Sequence, residues 1–426
     1  MSRIRPITCT FGVAAALLVG LVGCNAAVPS ASPSASRVPT IAPSTASPSA
    51  GESVDPNAIY AEINAQVQAI RGLEEKEPIQ PSIVSPETFG QVLEKSIREN
   101  SPPELLAAYE RLYKGMDLLE DASSLEDLYV DLLQSQAAGL YDPASKKLYV
   151  LSREGAVGAV EKVYYSHEYE HALQDQHFDL RKLTDGLTDQ TDRQLARQAL
   201  VEGDAYTVMT VWLTQNLGLA EILEIVQAGD DPETQAALDR IPPIIKEQIL
   251  FSALQGTTWV QGLQLAGGWQ AIDEAFAQPP ESTEQILHAD KWASFEPPVE
   301  VTIPDDVTTR MGQGWSETLQ DTFGERQLAV WLGPEHDGDR AAAGWGGDRV
   351  VLLDGPDDSW AIALVSEWDD SGEARDFADA ATARLDAAAI HGSVVHQPGR
   401  TSVTVLFASD DAVAVGLDRI FGNTGV

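Results

Sequence analysis

Cysteine and basic side chains are both scarce in this chain of 426 residues. It contains two cysteines, and 28 lysines and arginines stand against 65 aspartates and glutamates, which gives a formal net charge of −37. Nucleic acids and anionic lipid surfaces are polyanions, so this charge argues against either as a partner of the folded part. The acidic balance fits a soluble protein outside the cytoplasm and says little about a substrate.

An apolar run long enough to span a membrane is missing at the N-terminus. Residues 11–22 are apolar but too few for a transmembrane helix, and they follow a positively charged start. The run ends in Leu-Val-Gly-Cys at 21–24, which is typical of a secretory signal that closes in a lipobox. We predict a signal peptide over 1–23 and a lipid anchor on Cys24, which attaches the protein to the cell membrane on its extracytoplasmic side. Cys9 is then removed and Cys24 acylated, which leaves no thiol for a disulfide, for catalysis or for zinc.

Large apolar residues are rare between 24 and 56, where serine, proline, alanine and threonine dominate. Such a segment cannot bury enough surface to offset the entropy lost on ordering, so we expect a disordered tether. The rest of the chain is too long for one ordinary domain.

Apolar spacing divides the rest of the chain into three predicted parts. Residues 57–136 show helical periodicity and form a predicted helical region without recognisable chemistry. A second part is predicted over 137–297, and it opens with a β-hairpin whose second strand is 148–151. That strand either offers a free sheet edge to an extended peptide or belongs to an ordinary hairpin.

The last part, residues 298–426, mixes apolar runs of strand length with helical segments. Runs at 349–354 and 360–368 are predicted strands, whereas 315–332 and 372–388 are predicted helices. This mixture predicts a small α+β domain with an antiparallel sheet. The fold class predicted for the whole chain is therefore α+β.

The strongest motif is HEYEH at 167–171, inside the segment 159–178, which contains no proline or glycine. A helix places His167 and His171 one turn apart on one face, where both imidazoles can hold one metal ion. Glu168 can reach a water on that metal and take its proton as a general base. The motif needs a third ligand to make a catalytic zinc site.

Two residues compete for the third ligand position. His177 stands ten residues after the first motif histidine, but Gln174 replaces the helix-breaking glycine that this spacing requires in metalloproteases. Glu202 lies on an apolar helical stripe, where an acidic group is costly unless it is paired or bound to a metal. Gly203 would let this helix approach a neighbour closely. We favour Glu202 as the partner of the two histidines.

The runs HEYEHALQDQHFDL at 167–180 and ALVEGDA at 199–205 resemble the zincin superfamily of metallopeptidases, in its gluzincin branch. More closely, they are similar to a set of bacterial secreted metallopeptidase-like proteins, and the similarity extends to 267–288 and 341–349. The resemblance implies that 137–297 is a zincin-like catalytic domain. It also implies zinc bound by the two motif histidines and Glu202, with the glutamate of the motif as general base.

The chain departs from that set at two places. Glu170 stands where a neutral residue is more usual, and Ala289-Asp290 follow His288 where proline is common. A second acidic group beside the site could alter its metal affinity, so we expect Glu170 on the solvent side of the helix.

Three further residues are candidates for supporting roles. Zincins use a histidine or tyrosine from a later segment to stabilise the oxyanion, and His288 is the first candidate for this role, with Tyr206 second. Asp204 could orient a ligand histidine through a hydrogen bond. Ordinary surface or helix-face positions explain these residues as well.

The predicted function is that of a zinc-dependent peptidase, most simply an endopeptidase, that hydrolyses peptide bonds outside the cell. A lipoprotein that uses zinc only for stability and binds a peptide or protein partner is the alternative. The intact Glu168 argues against that alternative, because a binding site has no need of a general base. A hydrolase of cell-wall peptides is a third interpretation.

Overall fold

The computed structural model describes residues 55–136, 139–151, 157–229, 239–388 and 390–422. The predicted signal peptide, the lipidation of Cys24 and the tether up to residue 54 lie outside these ranges. Among the described helices, none has the length and apolar character that a membrane crossing requires.

The chain up to residue 311 is mainly helical in its described parts. Its helices have the following bounds: Pro56–Arg71, Pro86–Asn100, Pro103–Gly115, Leu125–Gln136, Ala159–Phe178, Leu180–Thr184, Thr191–Asn216, Leu219–Gly229, Pro243–Leu250, Gly256–Ala277, Thr283–Leu287, Ala289–Ser294 and Val307–Met311. A π-helical turn, Phe251–Gln255, precedes the helix Gly256–Ala277. We call Pro56–Arg71 the first helix, Ala159–Phe178 the motif helix and Thr191–Asn216 the glutamate helix.

A small three-stranded sheet lies beside the motif helix. It consists of β1 (Pro81–Val84), β2 (Gly139–Asp142) and β3 (Lys147–Leu151) in the order β1-β3-β2. β2 and β3 form the predicted hairpin, and β1 pairs with β3 in parallel. The hypothesis that the second strand of the hairpin offers a free edge is therefore wrong, because β3 is bonded on both sides. The edge strand of the hairpin is β2.

The C-terminal part is an antiparallel sheet of five strands with helices. The strands β4 (Ser316–Asp321), β5 (Trp345–Asp354), β6 (Trp360–Trp368), β7 (Gly392–His396) and β8 (Ser402–Ala408) have the order β4-β5-β6-β8-β7. The helices are Gly324–Leu332, Gly338–Ala342, Ser371–Ala388 and Asp411–Phe421. The structure is thus a mixture of helices and strands with an antiparallel C-terminal sheet, which confirms the predicted fold class.

The prediction of one helix over 315–332 is wrong in its first half. The segment begins with β4, in which Leu319 and Asp321 are buried at alternate positions while Gln320 between them is partly exposed. This period of two belongs to a strand, and pairing with β5 decides the conformation. A helix follows only from Gly324.

The predicted helical region 57–136 contributes to three hydrophobic cores and also contains β1. The first helix buries Tyr60, Ile63 and Val67 in one core with Tyr165 and Tyr169 of the motif helix. The helices Pro103–Gly115 and Leu125–Gln136 share a different core with the C-terminal sheet. The helix Pro86–Asn100 packs in a third core with the hairpin β2–β3. The first helix therefore forms one wall of the region around the motif.

Candidate metal centre

The motif helix presents both motif histidines to one point. His167 and His171 are at most 1 % exposed, and their Nε2 atoms lie 3.0 Å apart. The helix starts after Gly158, whose N–H donates to Glu161 in its first turn, and ends at Asp179, which has a left-handed conformation. Its length and lack of breakers place the two imidazoles one turn apart, as predicted.

The glutamate helix brings Glu202 to the same point. Glu202 Oε2 lies 3.4 Å from His167 Nε2 and 3.7 Å from His171 Nε2. Next to Glu202, the glutamate helix packs closely against the helix Gly256–Ala277. A Cβ atom on Gly203 would lie only 2.3 Å from the carbonyl oxygen of Gly256. The predicted close approach at Gly203 is therefore confirmed.

The three ligand atoms fit a divalent ion such as zinc. Ligands about 2.0–2.1 Å from a tetrahedral zinc ion lie about 3.3 Å from one another, and the three observed separations are 3.0, 3.4 and 3.7 Å. Neither carboxylate oxygen of Glu202 has a hydrogen-bond partner in the described part of the chain, although the side chain is fully buried. A buried carboxylate without a partner is costly, and a metal ion would satisfy it.

The electrostatics of the cluster suit ligation by neutral imidazoles. Burial lowers the pKa of His167 to about 3 and that of His171 to about 4, so both rings are neutral at pH 7. Burial also raises the pKa of Glu202 to about 7, although the nearby His171 acts against this shift. An ion that bound here would therefore compete with a proton on Glu202.

Glu168, the predicted general base, lies on the motif helix opposite the edge strand β2. Its Oε2 accepts a hydrogen bond of 2.6 Å from the backbone N–H of Tyr141, and its buried Oε1 has no partner in the described ranges. Burial raises the pKa of Glu168 well above its usual range, and the bond from Tyr141 opposes that rise. Gly139 makes room for this contact, because a Cβ there would lie 2.8 Å from Cγ of Glu168.

Tyr206 follows Glu202 by one turn of the glutamate helix. Its ring centroid lies 4.6 Å from that of His167, and the side chain is 4 % exposed. Burial raises the pKa of its hydroxyl group well above 10, and Glu202, Tyr164 and Glu168 add to this rise. The structure thus places Tyr206 against the cluster.

His288, the first candidate for stabilising the oxyanion, is not brought to the cluster. Its Nε2 lies 2.9 and 3.0 Å from the two carboxylate oxygens of Glu325 in the C-terminal part. The adjoining Gly324 contacts Asp192, which precedes Glu202 by ten residues, or about 15 Å along a helix. We correct the assignment of His288 accordingly: it belongs to an ion pair between segments.

Two other expectations have clear outcomes. His177 Nε2 lies 2.8 Å from the carbonyl oxygen of Glu74, and the histidine is not a member of the cluster. Glu170 is fully buried, so the expectation that it faces solvent is wrong. Every residue of the motif helix from 164 to 175 is buried. Oε1 of Glu170 lies 3.8 Å from Nε of Arg71.

Gln174, which contacts one of the histidines, was not recognised in the sequence as a site residue. His171 Nδ1 lies 2.9 Å from Oε1 of Gln174, a residue that stood out only as the missing glycine. The amide of Gln174 donates in turn to Asp204 at 3.1 Å. Asp204, which the sequence suggested as a partner of a histidine, is therefore connected to His171 only through Gln174. The spacing of three residues between His171 and Gln174 was the available signal.

The comparisons with known proteins concern the other end of the chain. Residues 310–420 match a family model described as a domain of unknown function (DUF8575). This match covers the five-stranded sheet, and the candidate metal centre lies outside it. No curated protein and no solved structure is significantly similar to the chain.

Proposed function

We propose that this protein is a zinc-dependent peptidase that hydrolyses peptide bonds outside the cell. The observation that carries the proposal is the convergence of His167, His171 and Glu202, with a buried carboxylate that lacks any hydrogen bond in the described structure. The resemblance of the motif and its surroundings to gluzincins supports the same activity, and the signal sequence with Cys24 supports a lipid-anchored location.

The side chains divide the chemical work between them. Bound by the two histidines and Glu202, zinc would supply Lewis acidity, which polarises the scissile carbonyl and lowers the pKa of a water molecule. Glu168 accepts the proton of the attacking water at Oε1 and delivers it to the leaving amine. Tyr141 holds the other oxygen of Glu168 through its backbone N–H. Tyr206 replaces His288 as the candidate donor to the developing oxyanion.

One observation favours the second candidate, a zinc-stabilised lipoprotein that binds a partner without catalysis. His167, Glu168, His171 and Glu202 are all at most 1 % exposed. A substrate can reach the centre only if the wall over it moves, whereas a structural zinc site is closed by nature. Against this candidate stands Glu168, since a purely structural site has no use for a buried acid with an unpartnered oxygen.

Hydrolysis of an unfolded protein tests the proposal. The zinc-loaded protein is incubated with the substrate, and the release of new amino termini is measured for wild type, Glu168→Gln and Glu104→Gln. Glu168→Gln should bind zinc normally and lose about 10²- to 10⁴-fold in rate, which is the usual contribution of a general base. Glu104 is an exposed residue of another helix, and its variant should match wild type. Equal rates for wild type and Glu168→Gln, or no cleavage by either, would refute the catalytic role.

A further inference from the structure

A line of hydrogen bonds runs from a candidate zinc ligand to the end of the first helix. His171 Nδ1 contacts Gln174 Oε1 at 2.9 Å, and Gln174 Nε2 donates to Asp204 Oδ2 at 3.1 Å. Arg71 Nε then donates to both oxygens of Asp204, at 2.9 and 3.1 Å. All four side chains are buried. The first helix, to which the sequence assigned no chemistry, thus reaches the metal centre.

The chemistry of each partner fixes the direction of these bonds. The Gln174 amide donates to Asp204 and also to the carbonyl oxygen of Val201 at 3.0 Å, and both of these groups only accept. Its oxygen must therefore face His171, and Nδ1 of His171 must carry the proton. The lone pair of Nε2 is then left toward His167 and Glu202, which is the tautomer that a metal ligand needs.

Arg71 has several partners besides Asp204, although its buried Nη1 has no hydrogen-bond partner in the described residues. Its Nη2 donates to Asp273 at 2.7 Å, and its guanidinium lies 5.0 Å from the ring of Trp269 and 5.9 Å from that of Phe178. The planar fork of an arginine can meet Asp204 and Asp273 at once, which the single ammonium of a lysine cannot reproduce. Arg71 therefore fixes the carboxylate of Asp204 in position as well as in charge.

We propose that Arg71 is a positioning residue of the metal centre, which sets the tautomer and orientation of His171 through Asp204 and Gln174. The proposal rests on the proposed function only in that the centre binds zinc. An ordinary buried ion pair would stabilise the fold but would leave the tautomer of His171 unchanged. The effect on the histidine therefore separates the two roles.

The test uses the full chain, stripped of metal, as wild type, Arg71→Lys, Gln174→Leu and the double variant. Nitrogen-15 chemical shifts of the His171 ring report its tautomer without metal, and competition with a chelator gives the affinity for zinc. Unfolding midpoints show whether each variant is folded. Arg98→Lys, at a side chain that is 67 % exposed, is the matched control.

Arg71→Lys should fold, show a gain of the Nε2–H tautomer of His171, and bind zinc about tenfold more weakly, at the lower end of effects from outer partners of a ligand. In the Gln174→Leu background the same change should alter zinc affinity less than twofold, because the connection is already cut. Arg98→Lys should match wild type in every readout.

Two results would overturn the role of Arg71. One is an unchanged tautomer and affinity in folded Arg71→Lys, and the other is an equal loss of affinity in both backgrounds. A wild-type protein that binds no zinc would refute the proposed function instead. The tautomer of His171 in the metal-free protein would then still decide the role of Arg71.

Discussion

Two buried carboxylates in this molecule, those of Asp348 and Glu202, differ in whether their oxygens have hydrogen-bond partners. In the C-terminal part, Asp348 accepts from the backbone N–H groups of Phe323 and Gly324 and from the indole of Trp345, at 2.7 to 2.9 Å. Around the motif, Glu202 is equally buried and lacks a hydrogen bond on either oxygen within the described ranges. Both residues are acidic and buried, and they differ in whether hydrogen-bond donors contact their carboxylate oxygens.

We attribute a structural role to Asp348 and propose that Glu202 binds a metal ion. Asp348 joins β5 to the start of the helix Gly324–Leu332, and its donors offset the cost of burying it. Glu202 has no hydrogen-bond donors in the described residues to offset the free-energy cost of its burial. A bound cation would offset that cost. Four predictions test this contrast, from the largest expected effect to the smallest.

Removing the structural acid should have the largest effect on stability. Asp348→Ala leaves two backbone N–H groups and an indole N–H buried without an acceptor, so the free energy of unfolding should fall by about 3 kcal/mol or more. Urea denaturation measures this loss, with Asp379→Ala on an exposed helix position as the control. In the metal-free protein, Glu202→Gln should cost less than about 1 kcal/mol or raise stability. A larger cost for Glu202→Gln than for Asp348→Ala would reverse the comparison.

Zinc should stabilise the protein only where the unpartnered acid is present. Free zinc at 100 times its dissociation constant should raise the free energy of unfolding of wild type by about 2.7 kcal/mol. Asp348→Ala should gain as much, and Glu202→Gln should gain nothing. Thermal unfolding with and without zinc measures these differences. An equal gain in Glu202→Gln would place the bound zinc elsewhere.

The pH dependence of stability should also reveal the raised pKa of Glu202. Burial raises its pKa to about 7 in the folded state from 4.5 in the unfolded state, so its contribution is fully present below pH 4.5 and is lost as the pH rises through 7. The two histidines titrate in the opposite sense, but they are common to both proteins. Metal-free Glu202→Gln should therefore gain about 2 kcal/mol relative to wild type between pH 5 and pH 7. Urea titrations at several pH values measure this gap, and a constant gap would contradict the assignment.

The smallest effect is expected at His177. Its ring is bonded to the carbonyl oxygen of Glu74 and lies outside the cluster. His177→Ala should change the free energy of unfolding by about 0.5 kcal/mol or less and leave zinc affinity unaltered. Loss of zinc binding in this variant, measured by chelator competition, would indicate that His177 rather than Glu202 is the third ligand.

The parts of the site that depend on local spacing could be predicted from the sequence. A helix fixes the relation between His167 and His171, and the cost of an acid on an apolar stripe identified Glu202. Glu170 was misplaced because a helix that is buried on every side gives no periodic signal for a solvent face.

Contacts between distant parts of the chain could not be predicted in this way. The bond from Tyr141 to Glu168 depends on how β2 meets the motif helix, and Arg71 stands 133 residues from its partner Asp204. The first half of 315–332 became a strand because β5 pairs with it, although its local pattern favoured a helix. Packing, which no short window of sequence contains, decides each of these cases.

Titration of the metal-free protein with zinc, followed by calorimetry, tests the central claim most directly. Wild type should bind one ion per chain, and Glu202→Ala should lose more affinity than the roughly 10- to 100-fold typical of a residue that only supports a ligand. A wild type that binds no zinc, or a Glu202→Ala variant that binds it as tightly, would contradict the claim that these three side chains form a metal centre.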